Sequence, residues 1–469
     1  MARLALLVLT AVIIGALGKI SEFLPGYLQT QLIYIGINII LAVSLNLING
    51  FAGQFSLGHA GFMAIGGYMA AYLTVNYGGF TGPGAVSLLE RAGLPQALAS
   101  PLVFLIAILV AGLVAGFFGV LVGLPTLRLR GDYLAIATLG FGEIIVHIIS
   151  QIEELGGARG FSLSSELQLS SFFWVYAWVA LTILMARNLI CSSHGRALIA
   201  VREDEVAAEA MGINTTRYKV IAFVMGALLA GVAGALYGHY TMYLHIDDLR
   251  FLRSIEIVVM VVLGGMGSIA GSVVAAVILT LLPELLRTFL GVASAAYILL
   301  IGAVVLPVRR PGHRLAYSLA VSSFAAAALL GLAAFITRAD VGETMAAAPP
   351  LLLWICAAAG LLASSSMLLP GPRTRDALSR SLLCLLATAI MFMLLFRPQL
   401  LPGPVIELRA WVSAKLPQLR MVIYALLLVV LMIARPQGLL GGHEITWQSF
   451  RRLLGRAPTP THGQENTSS

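Results

Sequence analysis

Apolar runs separated by short polar stretches fill the chain from one end to the other. A helix needs about 20 apolar residues to cross a bilayer. By that measure the pattern predicts spans over 4–18, 31–49, 60–76, 101–125, 132–150, 172–190, 218–242, 255–282, 291–307, 315–336, 350–370, 381–396 and 420–440. The run 255–282 is too long for one simple helix, and Gly264, Gly265, Gly267 and Gly271 interrupt it. It is expected to form two short crossings or a re-entrant pair. The first run follows Arg3 and has the length of a signal-peptide core. No small-residue cleavage pattern follows it, so it is expected to be a retained helix.

One stretch breaks the apolar pattern most sharply. Leu45 to Gly67 (LNLINGFAGQFSLGHAGFMAIGG) carries Asn46, Asn49, Gln54, Ser56 and His59 together with Gly50, Gly53, Gly58 and Gly61. Non-helical backbone at membrane depth is tolerated only where it is buried in protein or lines a cavity. Glycine-interrupted segments in both halves of a chain point to a transport pathway. The candidate pathway residues are Asn46, Gln54, Ser56 and His59 in the first broken segment, with Gly264, Gly265 and Ser268 in the second. The competing reading is structural, with small residues permitting close packing and His59 serving as a packing histidine. The spacings Gly112/Gly116, Gly119/Gly123 and Gly234/Gly238 are read as close helix contacts.

Composition agrees with a membrane protein. The 469 residues are 59% hydrophobic and 11% charged, with a mean hydropathy of +0.94, where a soluble domain would carry about 25% charged residues. The net charge of +8 is mostly arginine, since Lys19, Lys219 and Lys415 are the only lysines. In a membrane protein such an excess marks cytoplasmic loops rather than nucleic-acid binding. With the N-terminus in the cytoplasm, Arg128 and Arg130 fall inside, Glu153, Glu154 and Glu166 outside, and Arg187 to Lys219 inside again. If 255–282 crosses twice, the clusters Arg309–Arg314, Arg373–Arg380 and Arg435–Arg456 also fall inside. The charge pattern favours that count, about 14 spans with both termini cytoplasmic. Cys191, Cys356 and Cys384 are scattered and argue against a disulfide framework or a zinc site.

The large inside loop, residues 194–220, reads HGRALIAVREDEVAAEAMGINTTRYKV. A helix is expected from Arg202 to Met211, with Gly212 as its stop and Asn214 as the next cap. Ala207, Ala208 and Ala210 would form a small face edged by Glu203, Asp204, Glu205 and Glu209. Such a helix suits docking into a groove on a soluble partner, and the competing reading is an ordinary solvated loop. Among intramembrane ionisable residues, Glu143 and His147 share a helix face and could relay protons. An interhelical hydrogen bond is the simpler account. Glu256, Glu284 and Arg287 lie near span ends, and Asp132 is expected to pair locally with Arg128 or Arg130. No G-x-x-x-x-G-K-[ST] pattern exists, so ATP hydrolysis is not expected of this chain. Gly265 to Ala270 formally fits G-x-G-x-x-A but lies in a membrane segment.

Several ordered motifs together resemble one family. GFAGQFSLGHAGFMAIGGYMAAYLT (50–74), TLRLRGDYLAIATLGFGEI (126–144), GRALIAVREDEVAAEAMGI (195–213), VVLGGMGSIAGSVVAAVILTLLPELLR (261–287) and MVIYALLLVVLMIARPQGLLG (421–441) are similar to LivM-type permeases of ABC importers for branched-chain amino acids. The resemblance implies an all-α, polytopic membrane protein with a core of about ten helices, some of them broken. That core would comprise residues 1–290 and a final helix within 410–441. About 120 residues intervene where the family runs almost directly on, so 291–409 is expected to be an insertion of about four spans. Residues 442–469 would be a cytoplasmic tail.

The resemblance also implies the partners: a second, LivH-type permease, two ABC ATPase subunits and a periplasmic or other extracytoplasmic binding protein, all at the bacterial inner membrane. No cofactor, metal or nucleic acid is expected in this chain. The loop is similar to the family's coupling element, and Glu203, Asp204, Glu205, Ala208 and Gly212 would contact the ATPase. Urea or a short amide as substrate, a proton-coupled carrier using Glu143 and His147, and a non-transporting membrane scaffold remain the competing readings.

Overall fold

The computed structural model describes residues 26–78, 84–126, 131–163 and 169–288, with a few isolated positions besides. Most of the predicted span 4–18, the arginines Arg128 and Arg130, Glu166, and every span and tail assignment from 291 onward lie outside the described residues. The described part is helical. Its elements are α1 (Gly26–Asn46, continued by a π-helical turn Leu47–Phe51), α2 (His59–Asn76), α3 (Ala85–Arg91), α4 (Gln96–Thr126), α5 (Asp132–Gln151), α6 (Phe172–Cys191), α7 (Ser193–Glu203), α8 (Glu205–Ala210), α9 (Thr215–Thr241), α10 (Phe251–Gly264) and α11 (Ile269–Thr288). Two short strands, β1 (Phe161–Ser162) and β2 (Tyr243–Leu244), pair antiparallel with Phe161 opposite Leu244.

Helix α9 is the centre of the bundle and packs against α4, α2 and α1. Its contact with α4 is made by a glycine ridge. Gly112, Gly116 and Gly119 lie against Val224, Ala227, Leu228 and Val232, so the predicted close approach is present. On the opposite side of α4, Leu102, Ile106, Leu109, Leu113, Phe117, Leu121 and Leu124 are exposed along the whole helix. Their spacing of three or four residues makes one continuous apolar face, as expected where a helix meets lipid. Five described helices are long and apolar enough to cross a membrane: Gly26–Phe51, Leu98–Thr126, Asp132–Gln151, Phe172–Cys191 and Thr215–Thr241.

The predicted span 255–282 is two helices. α10 and α11 fold back on each other so closely that a Cβ on Gly264 would overlap the Gly271 carbonyl. The turn between them, Gly265 to Ser268, has Gly265 at φ +105° and Gly267 at φ +85°, a region open to glycine and hard for other residues. With 14 residues, α10 reaches only about 21 Å at the α-helical rise.

The loop differs from the expectation of one helix over Arg202–Met211. α7 already runs from Ser193 to Glu203, and Asp204 interrupts it. Asp204 is in extended conformation, and its carboxylate accepts from the Val206 and Ala207 N–H groups. The side chain therefore starts a new helix, α8, in preference to continuing the old one. Ser192 caps α7 through Gly195 N–H, and Asn214 caps α9 through Arg217 N–H. Gly212, at φ +82°, ends α8. The Gly212 N–H donates to Glu209 O and the Ile213 N–H to Ala208 O, the paired bonds of a Schellman ending.

Candidate functional site

The two broken segments meet at one end of the bundle. There α1 loosens into its π-helical turn, with the Ala52 N–H reaching back to Leu47 O. Such turns recur at functional positions in helices. Asn46 faces the α10–α11 turn and bonds it in both directions: its Nδ2 donates to Ser268 O at 2.9 Å, and its Oδ1 accepts from the Gly267 N–H at 2.9 Å. Gly50 sits in the same contact, where a Cβ would overlap Asn46 Oδ1 and the Gly267 nitrogen. The sequence-predicted residues Asn46, Gly264, Gly265 and Ser268 are thus brought together.

Arg202, from the loop, completes this inner junction. Its Nη1 donates to Gly50 O at 3.0 Å. The same guanidinium lies against Gly267, and the Arg202 stem lies against Gly53. One side chain at the end of α7 therefore touches both breaks.

In the irregular backbone after the π-turn, Asn49 and Gln54 bond main-chain groups, whereas Ser56 Oγ and His59 Nδ1 are buried without a hydrogen-bond partner among the described residues. Asn49 accepts from Ser56 N–H at 3.1 Å and donates to Ser56 O. The Gln54 N–H donates to Ile48 O, and its side-chain amide donates to Ala52 O. The Leu57 N–H donates to Thr138 Oγ1 and the Ala60 N–H to Ser254 Oγ. His59 is fully buried, with Nε2 2.8 Å from Ser44 Oγ. Gln54, Ser56 and His59 are all buried, and non-helical backbone here is satisfied by protein, as the apolar surroundings demand.

The loop acids have partners within the chain. Glu203 accepts from Arg202 Nε at 3.1 Å, Glu205 accepts from Lys219 Nζ at 2.6 Å, and Glu209 accepts from Thr215 Oγ1 at 2.7 Å. Ala208 is buried, whereas Val206 is 66% and Met211 82% exposed. The outward face of α8 is therefore apolar at these two residues.

Glu143 and His147 are not hydrogen-bonded to each other. Glu143 Oε1 accepts from the Phe251 N–H at 2.9 Å, holding the start of α10, and Oε2 lies 3.4 Å from Arg250 Nε. Hydrogen bonds to Asp247 and to Glu143 raise the Arg250 guanidinium above its ordinary value. His147 is exposed on α5 and gives its backbone carbonyl to Ser150. The interhelical hydrogen bond expected as the simpler account of Glu143 is present.

At the other end of the bundle a polar cavity of about 270 Å³ opens between α1, α9, α10 and α11. Gln31, Tyr34, Asn38, Tyr237, Asp248, Arg253, Glu256, Met260, Leu279 and Thr280 line it. Arg253 Nη1 donates to Glu256 Oε2 at 2.9 Å, and Nη2 donates to Asn38 Oδ1 at 2.6 Å. Asn38 Nδ2 in turn donates to Thr280 Oγ1 at 2.7 Å. The Arg253 and Glu256 side chains are only 17% and 15% exposed. Sequence reasoning placed Glu256 at a span end and missed Arg253. A signal existed: 31, 34 and 38 share one helix face, as do 253, 256 and 260.

An all-α, multi-pass membrane bundle with broken helices joined by hydrogen bonds has the architecture of a transport protein. A family model described as "Branched-chain amino acid transport system / permease component" matches residues 27–308, and the chain belongs to that family. The match extends across 291–307, the first segment that the sequence reading assigned to an insertion. The chain is 35% identical over 286 residues to the high-affinity branched-chain amino acid transport system permease protein LivM of Salmonella typhimurium, covering 54% of this chain and 62% of that protein. It is 34% identical over 286 residues, with the same coverage, to the LivM protein of Escherichia coli. The Escherichia coli LivH permease is 32% identical over 136 residues, 29% of this chain and 43% of the relative. The chain thus spans 62% of the length of these two LivM relatives. No solved structure matches it.

Proposed function

We propose that this chain is the LivM-type permease subunit of an ATP-driven ABC importer in a bacterial cytoplasmic membrane. It carries branched-chain or similar small amino acids inward and performs no chemistry of its own. A LivH-type second permease, two ABC ATPases and an extracytoplasmic binding protein complete the machine. Family membership supports this reading, as do relatives named as LivM and LivH transport permeases. Residues 1–290 and 410–441 form the core; since the family match runs on to 308, the additional membrane module is the part of 291–409 that follows it, and 442–469 is a cytoplasmic tail.

The single observation that carries the mechanism is the Arg202–Gly50 hydrogen bond. The loop 194–220 is the coupling element. α8 docks on the ATPase through Val206 and Met211, while Glu203, Asp204, Glu205, Ala208 and Gly212 shape and hold it. A displacement of α7 and α8 on ATP binding carries Arg202 with it. Because Arg202 grips both breaks, the motion reaches the inner junction directly and opens it as a two-state element. The pathway then runs past Asn46, Gln54, Ser56, His59 and the turn Gly264 to Ser268.

The test is recovery of the chain from its native membrane in mild detergent, followed by mass spectrometry. Two P-loop ATPases and a shorter permease are expected with it. Recovery of the chain alone, active in uptake after reconstitution and sensitive to an uncoupler, would replace this reading with an ion-driven carrier.

A further inference from the structure

The outer cavity has the chemistry of a free α-amino acid written into its walls. Its charged residues are the Arg253 guanidinium and the carboxylates of Glu256 and Asp248, and its apolar surface comes from Met260, Leu279 and the rings of Tyr34 and Tyr237. At about 270 Å³ it lies near the lower end of small-molecule pockets, roughly 300–1,000 Å³. The Arg253–Glu256 pair is largely covered by protein but faces the cavity. An ion pair placed there contributes little to stability after desolvation, and ionisable groups of a membrane protein that line a cavity mark ligand or ion pathways by default. Arg253 is also braced by Asn38, which Thr280 braces in turn. Three helices thus fix the guanidinium in one orientation, the arrangement that bidentate carboxylate recognition requires.

We propose that this cavity binds the zwitterionic head of the transported amino acid directly, on the side opposite the coupling loop. The inference rests on the importer reading for the identity of the solute, but not for its physical chemistry. The carboxylate of the solute pairs with Arg253. Its ammonium group pairs with Glu256 and Asp248, and its aliphatic side chain lies against Met260 and Leu279. With one formal positive and two formal negative charges, the empty site is net negative. It therefore discriminates asymmetrically: an analogue lacking the ammonium group is repelled, whereas one lacking the carboxylate charge is partly tolerated.

Gln31 lines the cavity without joining the Arg253 network, so it can carry a reporter. The experiment uses right-side-out vesicles holding the complete chain and its partner subunits, with Cys191, Cys356 and Cys384 changed to Ser and Gln31→Cys added. A membrane-impermeant methanethiosulfonate is applied from outside, with L-leucine, leucinamide or 4-methylpentanoate as competitor, and ATP-driven leucine uptake is measured in the same vesicles. The expected order of protection is leucine first, leucinamide next and 4-methylpentanoate last. Arg253→Lys keeps the charge but loses the fork, and should raise the leucine concentration needed for protection about tenfold. Labelling that leucine does not slow, in vesicles that still take leucine up, overturns the cavity assignment and leaves the importer reading intact. No labelling at all overturns it too, because the cavity is then closed to the outside. Protection by leucine without ATP-driven uptake would sustain the site and remove the importer reading instead.

Discussion

Two polar regions share the helices α1, α10 and α11, and they are built in opposite ways. The inner junction is filled: Asn46, Gly50, Gly267, Ser268 and Arg202 contact one another with no room for an added methyl group. The outer region is open: Asn38, Arg253, Glu256 and Thr280 bond each other around about 270 Å³ of space. Polar side chains in a membrane helix are therefore of two kinds. Some close backbone that the helix has left open, and others face a volume that a solute can enter. Residue type does not separate them; volume and bonding partners do.

That contrast predicts different sensitivities. Volume added to the inner junction should be the most damaging change. Gly50→Ala forces Asn46 and the Gly267 turn apart, at a cost of about 3 kcal/mol, the upper end for overpacking. The expected readout is a large loss of thermal stability in detergent by size-exclusion chromatography, together with loss of uptake. Asn46→Ala should come next. It strips partners from the half-buried Gly267 N–H and the buried Ser268 carbonyl, a buried group left unpaired costing about 1–3 kcal/mol, and stability measured the same way should fall without loss of membrane insertion.

Gly212→Val acts at a distance from both regions. There is open space around Gly212, but its φ of +82° penalises any β-branched residue, by about 1–2 kcal/mol for left-handed backbone. The chain should insert and accumulate normally while uptake falls. Normal uptake in that variant would count against the loop as the coupling element. The smallest effect is expected in the open region. Gln31→Ala should change stability by less than about 0.5 kcal/mol, as for surface positions generally. A large loss there would mean that the cavity is packed as tightly as the junction.

Much of this was legible in the chain. The predicted spans 60–76, 132–150 and 172–190 fall within a residue or so of His59–Asn76, Asp132–Gln151 and Phe172–Cys191, because lipid-facing and buried helices are both uniformly apolar. The glycine-rich breaks stood out for the same reason, as polar interruptions in apolar runs. Other features depended on what a sequence does not display. Asp204 ended a helix that propensity alone would continue, since a carboxylate placed to accept two backbone N–H groups outweighs it. α1 is already helical at Gly26, ahead of the predicted start at 31, because Gln29, Thr30 and Gln31 lower the hydropathy of its first turns without breaking the helix. Arg253 meets Asn38 across 215 positions, and Arg202 meets Gly50 across 152. Neither contact has a local signal, although the helical spacing of 31, 34 and 38 marked one half of the first.

The most direct test of coupling through the inner junction is the ratio of leucine taken up to ATP hydrolysed in proteoliposomes. It should be measured for the complete complex with wild-type chain and with Arg202→Ala, after co-purification shows equal assembly. Losing a charge-assisted hydrogen bond costs about 1.5–3 kcal/mol, so the account predicts that hydrolysis continues while uptake per ATP falls about tenfold or more. Unchanged uptake per ATP in the variant would contradict it, because the loop would then move the pathway without its grip on the two breaks.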